Sequence, residues 1–397
     1  MYKRHLADFL NGVASKYPVV TIVGPRQSGK STLSRTSFPH HTYLSMEEPD
    51  RREMAEQDPR GFFKRFTGPL ILDEIQRVPD LLSYIQTEVD EPKSDRHFVL
   101  TGSHQMLLME KITQSLAGRT VITKLLPLSR RELLELPAEI PLGKAPDKKE
   151  KKETGALEKY IHTGGYPRIY DRQLEPGQWL EQYYQTYVER DVRALLRVSE
   201  LDLFDRFIRL CAGRAGQLLN LSSLASDCGI SQPTAQSWLS VLKASFICFT
   251  LQPHFRNFSK RLIKSPKLYF FDTGLLCYLL KIRTPETIAE HPFRGSLFEN
   301  WVIAEWMKSF FNRGMEPPFY FWRDTKGHEA DLVLDLGPSL YPIEIKSAYT
   351  FHPDFTRNLQ YLAKLQRQKN LPLGESVYAG KESFTFKDFF VRSWQAL

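Results

Sequence analysis

The chain has 397 residues, 42% hydrophobic and 25% charged, which suits a soluble protein of two to four domains. Its 54 Lys and Arg against 46 Asp and Glu leave a net charge of +8, more than a bound nucleotide requires, so an anionic partner is expected: nucleic acid first, a membrane surface second. Four widely spaced cysteines without a C-x-x-C pair argue against a zinc site or disulfide framework, residues 1–10 lack the pattern of a signal peptide, and the greasiest stretch, 269–280, is too short to span a bilayer and contains Asp272. A cytoplasmic protein without a membrane partner is expected.

In chain order, the first informative element is the β-branched run Val19-Val20-Thr21-Ile22-Val23, which reads as a buried parallel strand. It leads into Gly24-Pro25-Arg26-Gln27-Ser28-Gly29-Lys30-Ser31, which fits G-x-x-x-x-G-K-[ST], and Ser31-Thr32-Leu33-Ser34 then opens a helix. Gly24 and Gly29 permit backbone conformations that a side chain would block. Consecutive N–H groups then converge on one anion at the positive end of the helix. Lys30 supplies a point charge for the outer phosphates and Ser31 a hydroxyl for Mg²⁺, so the stretch through Thr32 is the expected ATP site.

A further strand is expected over 41–46. Pro69-Leu70-Ile71-Leu72-Asp73-Glu74 is an apolar run ending in two carboxylates, placing Asp73 at the sheet edge to hold the Mg²⁺ water shell and Glu74 beside it to polarise the attacking water. A third strand, 97–100, ends in Thr101-Gly102-Ser103, whose hydroxyls suit orienting the water or terminal phosphate; Ser103 suits capping the next helix equally well. Arg119 follows Gly118 and is read either as a finger on the transition-state charge, in its own site or a neighbour's, or as a surface arginine. Strands alternating with helices argue for a parallel sheet covered on both faces over residues 1–136.

Residues 137–200 read as a linker and helical cap, with the charge run 148–153, a turn at Gly164-Gly165-Tyr166-Pro167, and Arg168 and Arg190 as either phosphate contacts or ion-pair partners. Residues 201–285 hold a helix capped by Ser222, a turn at Gly229-Ile230, and a second helix capped by Ser231 with Ala235, Trp238, Leu239 and Leu242 inward. Two β-rich stretches follow. That spacing suits a winged helix, serving either DNA binding or packing between domains. The basic segment 256–267, with Arg256, Lys260, Arg261, Lys264 and Lys267 and no acid among them, suits tracking of DNA phosphates.

In residues 286–397, a helical stretch carries Glu299, and two apolar strands joined by Gly337-Pro338 carry Asp331, Glu344 and Lys346. Two carboxylates and a lysine at the end of a hairpin can hold Mg²⁺ and activate water for phosphodiester cleavage, with Glu299 completing the cage. The alternative is charged residues facing solvent on two strands.

Taken together, GPRQSGKS, LILDEIQ, FVLTGS, SLAGR, GGYPRIY, YVERDV, YFFDTGLL, GSLFENWV and EADLVLD…YPIEIKS span most of residues 16–350. The chain resembles the bacterial and archaeal AAA+-type ATPases that carry a C-terminal domain of unknown function. The resemblance implies an α/β fold: a P-loop core with Walker A and Walker B motifs, then a winged helix, then a restriction-endonuclease-like PD-(D/E)xK domain. It places that domain's metal ligands on Asp331 and Glu344, its lysine on Lys346 and its helical acid on Glu299. Ala330 stands where the motif's loosely kept proline would be. The expectation is an ATP- and Mg²⁺-dependent hydrolase coupled to DNA binding, with a homo-oligomer admissible. An ATP-gated nuclease and a slow-turnover switch are the alternatives.

Overall fold

Two β-sheets, one in each half of the chain, position all the candidate chemistry. The computed structural model describes residues 2–92, 94–103, 112, 114–144, 156–192, 201–254, 265–324, 326–366 and 373–397. The charge run 148–153, residues 256–264 of the expected basic segment, and the side chain of Arg190 lie outside the described residues.

The first sheet contains β1 (Val19–Val23), β2 (Thr42–Ser45), β3 (Leu70–Asp73), β4 (Phe98–Gly102) and β5 (Thr120–Lys124). They lie in the order β2-β3-β4-β1-β5, all parallel. Every residue of β1 is buried. Val20 and Ile22 pack with Leu6 and Leu10 of α1 (Leu6–Val13) and Leu33 of α2 (Lys30–Ser37). Val19 and Val23 face the opposite layer, with Leu72 and Leu100. This two-sided burial explains why β1 is continuously apolar instead of alternating. Three further helices, α3 (Pro49–Gln57), α4 (Pro59–Arg65) and α5 (Leu81–Asp90), complete the layers. From β1 the chain runs to the β2 edge, returns through β3 and β4, and crosses β1 to reach β5. The carboxyl end of β1 is therefore the switch point where an open parallel sheet offers a crevice.

A short helix, α6 (Arg130–Leu133), follows β5, stabilised by a capping box between Ser129 and Glu132. Then come α7 (Leu157–Thr163), α8 (Pro167–Asp171) and α9 (Pro176–Tyr183), the last continuing as a π-helical segment, Tyr184–Val192. Helices α10 (Leu201–Ala212), α11 (Leu221–Cys228) and α12 (Gln232–Ala244) follow. Asn220, not Ser222, caps α11, accepting from Ser223 N at 3.0 Å: the helix starts two residues earlier than a Ser222 cap would place it. Ser231 caps α12, and Ala235, Trp238, Leu239 and Leu242 are buried as expected.

Next come β6 (Cys248–Pro253), β7 (Lys267–Phe270), α13 (Thr273–Leu279) and α14 (Arg294–Phe311). After them lie β8 (Phe319–Arg323), β9 (Glu329–Asp335), β10 (Leu340–Lys346), α15 (Arg357–Gln366), β11 (Glu375–Tyr378), β12 (Phe384–Phe386) and β13 (Phe389–Ser393). The eight strands form one sheet in the order β12-β13-β11-β10-β9-β8-β6-β7. The β6–β7 hairpin, expected as a wing, thus extends the C-terminal sheet through a parallel β6–β8 pairing, and the boundary expected at 285 is crossed by continuous hydrogen bonding. The side chain of Asn300 on α14 accepts from Phe270 N at 2.8 Å and donates to Phe270 O at 2.7 Å. It thereby occupies backbone groups of the edge strand β7 that would otherwise be unpaired.

Candidate functional site

The loop between β1 and α2 has the backbone that its glycines predict. A Cβ on Gly24 would lie 2.1 Å from the carbonyl oxygen of Leu125, so only glycine fits there. Gly29, at φ +93°, caps α2 in the left-handed region. Lys30 is buried and its ammonium donates to the carbonyls of Gly24 and Pro25 at 3.0 and 2.8 Å, folded over its own loop. Burial pushes its pKa down to about 8, against the opposing pull of Glu74 and Asp73. The hydroxyl of Ser28 is buried without a partner. Arg26 and Glu47 pair at 3.6 Å at the mouth of the cleft, while Gln27 and Thr32 are exposed.

Asp73 closes β3, whose neighbours bring three hydroxyls onto its carboxylate. Ser31 donates to both oxygens, Tyr43 donates to Oδ2 at 2.5 Å, and Thr101 donates to Oδ1. Glu74, the next residue, sits at φ +55°, a left-handed conformation uncommon for a side chain of this size. It is held by Ser103, whose hydroxyl donates to Oε2 at 3.1 Å, and by Gln76, whose amide donates to the same oxygen. The hydroxyls of Thr101 and Ser103 thus grip the two acids. Tyr43 and Gln76 were missed by the motif reading; their only sequence signal is a place on or just after strands that end at the same edge.

A cleft of about 880 Å³ opens over this constellation, lined by Lys30, Ser31 and Glu74, by Arg4 near the N-terminus, by Arg168 in the first turn of α8 and by Arg172 just after it. Arg168 therefore stands at the nucleotide cleft. The residues fit ATP with Mg²⁺: a glycine cradle, an ammonium bonded to its own loop, a hydroxyl buried without a partner among the described residues, and a Ser31–Asp73 oxygen pair of the hard-donor type Mg²⁺ prefers.

Arg119 does not serve the phosphates of its own subunit. It precedes β5 at the amino ends of the parallel strands, across the sheet from the loop. Its guanidinium forks onto Asp90 with both contacts at 2.6 Å. Lys267, expected on a phosphate-tracking surface, is also elsewhere. It is buried in β7 and pairs with Glu329 at 2.5 Å and Glu299 at 3.4 Å.

The second acidic group assembles in the C-terminal sheet. Lys346 lies 2.6 Å from Glu344 and 3.6 Å from Asp331, and Asp331 accepts from Ile345 N at 2.8 Å. Glu299 reaches in from α14 and accepts from Tyr269 at 2.5 Å. Burial, then the charge of Asp331, pushes Glu299 up to about 7 and Glu344 up to about 8. Glu344 Oε2 is buried without a hydrogen-bond partner among the described residues. No group of three or more His, Cys, Asp or Glu among the described residues is arranged to hold a metal: Lys346 occupies the space between Asp331 and Glu344, and Lys267 that between Glu299 and Glu329. The four expected residues are neighbours, joined by lysines rather than arranged as a cage. No helix among the described residues is long and apolar enough to cross a membrane.

Residues 16–134 match the family model described as AAA domain. Residues 154–286 and 294–397 match two domains of unknown function, DUF8612 and DUF4143. The chain is 29% identical over 395 residues to uncharacterized proteins of Mycobacterium tuberculosis and Mycobacterium bovis, covering 98% of this chain and 82% of each relative. It is 25% identical over 336 residues to an uncharacterized protein of Methanocaldococcus jannaschii, covering 80% of this chain and 72% of that one. Among solved structures, a Walker-type ATPase of Pyrococcus abyssi aligns with a TM-score of 0.45 at 15% identity, over 70% of this chain and 96% of that one. Loop, acid pair, parallel sheet and family model agree at one level: residues 16–134 are similar to an AAA domain and carry the elements of a P-loop nucleotide site.

Proposed function

We propose that the protein is a Mg²⁺-dependent ATP hydrolase whose nucleotide state sets how its C-terminal half engages DNA. The observation that carries the hydrolase reading is the contact of Ser31 with Asp73 beside a restrained Glu74. The loop amides and Lys30 bind the phosphates, and Glu74 takes the proton of the attacking water. Ser31 and Asp73 would hold Mg²⁺, which would supply charge neutralisation at the phosphates. Thr101 and Tyr43 fix Asp73; Ser103 and Gln76 fix Glu74. Preorganised donors and acceptors of this kind avoid reorganisation during the reaction. ATP turnover by wild type, Lys30→Ala and Glu74→Gln tests the reading. Lys30→Ala loses binding and turnover, Glu74→Gln loses turnover and keeps binding, and equal turnover in all three removes it.

A second reading concerns the C-terminal half, where α11 and α12 keep helix-turn-helix spacing and the β6–β7 hairpin joins the sheet that carries a PD-(D/E)xK-like cluster. Its support is the convergence of Glu299, Asp331, Glu344 and Lys346 from α14, β9 and β10, with two of the carboxyls raised toward neutrality. Clustered charges at such depth are costly without a task. Cutting of DNA that Asp331→Ala and Lys346→Ala both abolish tests this reading; a panel of DNA and RNA substrates left intact removes it.

A further inference from the structure

Arg4 lies outside every motif, yet its guanidinium is buried against the nucleotide loop. It donates from Nη1 to the carbonyl of Ser28 at 2.6 Å, from Nη2 to that of Leu126 at 2.7 Å, and from Nε to Glu132 Oε1 at 2.9 Å. Glu132 is fully buried and fully engaged. The same Oε1 accepts from His5 N, and Oε2 accepts from Ser129 N, each at 2.9 Å. Burial alone would raise the Glu132 carboxyl, but the Arg4 charge and these donors hold it below the usual carboxylate range.

The contact with Ser28 has a geometric consequence. A trans peptide is planar, so the carbonyl of Ser28 and the N–H of Gly29 point in opposite directions from one rigid unit. A guanidinium that fixes the carbonyl outward thereby aims the Gly29 N–H into the cradle. Leu126, the second carbonyl held, follows Leu125, whose carbonyl is the surface against which Gly24 is packed. One side chain thus locks both sides of the loop, and the planar fork suits it as a lysine would not.

We infer that Arg4 is a positioning residue of the nucleotide site, holding the 24–31 loop in its anion-binding shape before nucleotide arrives. This rests on the nucleotide reading above. The site is preorganised from the N-terminal segment, through a guanidinium engaged by Ser28, Leu126 and Glu132. The structural chain continues beyond the loop. Glu132 caps α6, the backbone N–H of Arg130 donates to Glu305 on α14 at 2.7 Å, and the Arg130 guanidinium donates to Gln395 O at 2.8 Å.

The test compares wild type, Arg4→Ala and Arg4→Lys in the full chain by calorimetry with MgATP and by amide hydrogen exchange of residues 24–31 without nucleotide. Both variants should bind MgATP about ten-fold or more weakly and exchange the loop amides faster, with a cooperative melt retained. Lysine, although it keeps the charge beside Glu132, should not rescue affinity. Variants that fold, bind within two-fold of wild type and protect the loop equally would overturn the inference. Failure of both to fold would also contradict it, because Arg4 would then hold the fold and not the site. Wild type that takes up no nucleotide would instead overturn the ATPase reading itself.

Discussion

The Ser31 hydroxyl lies 3.0 and 2.9 Å from the two carboxylate oxygens of Asp73, a residue 42 positions away on a strand that is not adjacent to β1. Strand β4 separates β1 from β3, so the contact forms above the sheet, at the carboxyl ends of both strands. It places a hydroxyl and a carboxylate where one hard cation can use both. Ser31→Ala should raise the Mg²⁺ concentration needed for half-maximal turnover by about ten-fold or more, with a smaller loss of nucleotide affinity. Titrations of activity against Mg²⁺ at saturating ATP check this.

Lys30 gives the site a pH signature. Its ordinary lysine pKa of 10.5 is lowered to about 8, chiefly by burial. Below pH 8 the nucleotide-free protein therefore holds Lys30 charged; above it the side chain is increasingly neutral. Phosphates favour the charged form, so binding at pH 8.5 should draw a proton from buffer, and affinity should decline above about pH 8 by up to ten-fold per pH unit. Calorimetry in two buffers of different ionisation enthalpy measures the uptake. Lys30→Met should abolish it.

Arg119→Ala should leave turnover by the isolated subunit within two-fold of wild type, because the guanidinium is spent on Asp90 at the far end of the sheet. A steady-state assay at high dilution decides this.

Lys267→Ala should act on stability rather than on DNA affinity. The ammonium is buried between Glu299 and Glu329 and lies 5.6 Å from the centre of the Phe321 ring. Removing it leaves two half-buried carboxylates without this counter-charge, although Arg323 stays 3.7 Å from Glu329, a loss of about 1–3 kcal/mol. Urea denaturation of the variant against wild type reads it directly.

The difference between Lys30 and Lys267 shows what the chain reveals before folding. Lys30 sits in a pattern whose chemistry is local: eight consecutive residues fix the loop, and the strand before it fixes its place on the sheet. The pairing of β9 with β10, and hence the meeting of Asp331 with Glu344 and Lys346, was legible for the same reason, since a tight turn at Gly337 sets the register. Lys267 sits in a basic run that resembles a solvated surface. Only the pairing of β6 with both β7 and β8 turns it inward, and that pairing spans some seventy residues that no local pattern connects. Arg4 and Tyr43 were illegible for a related reason: each acts through a long-range contact with a residue whose own role is local. Gln76 lies two residues from Glu74 but outside the acid-pair pattern. Arg119 misled because glycine before arginine says nothing about which end of a strand the pair occupies.

The most direct measurement of the central claim is calorimetric titration of ATP into the folded protein with Mg²⁺, alongside Lys30→Ala. The account predicts saturable heat for one nucleotide per chain in wild type and none in the variant. Absence of heat in wild type, or identical isotherms for the two proteins, would contradict it.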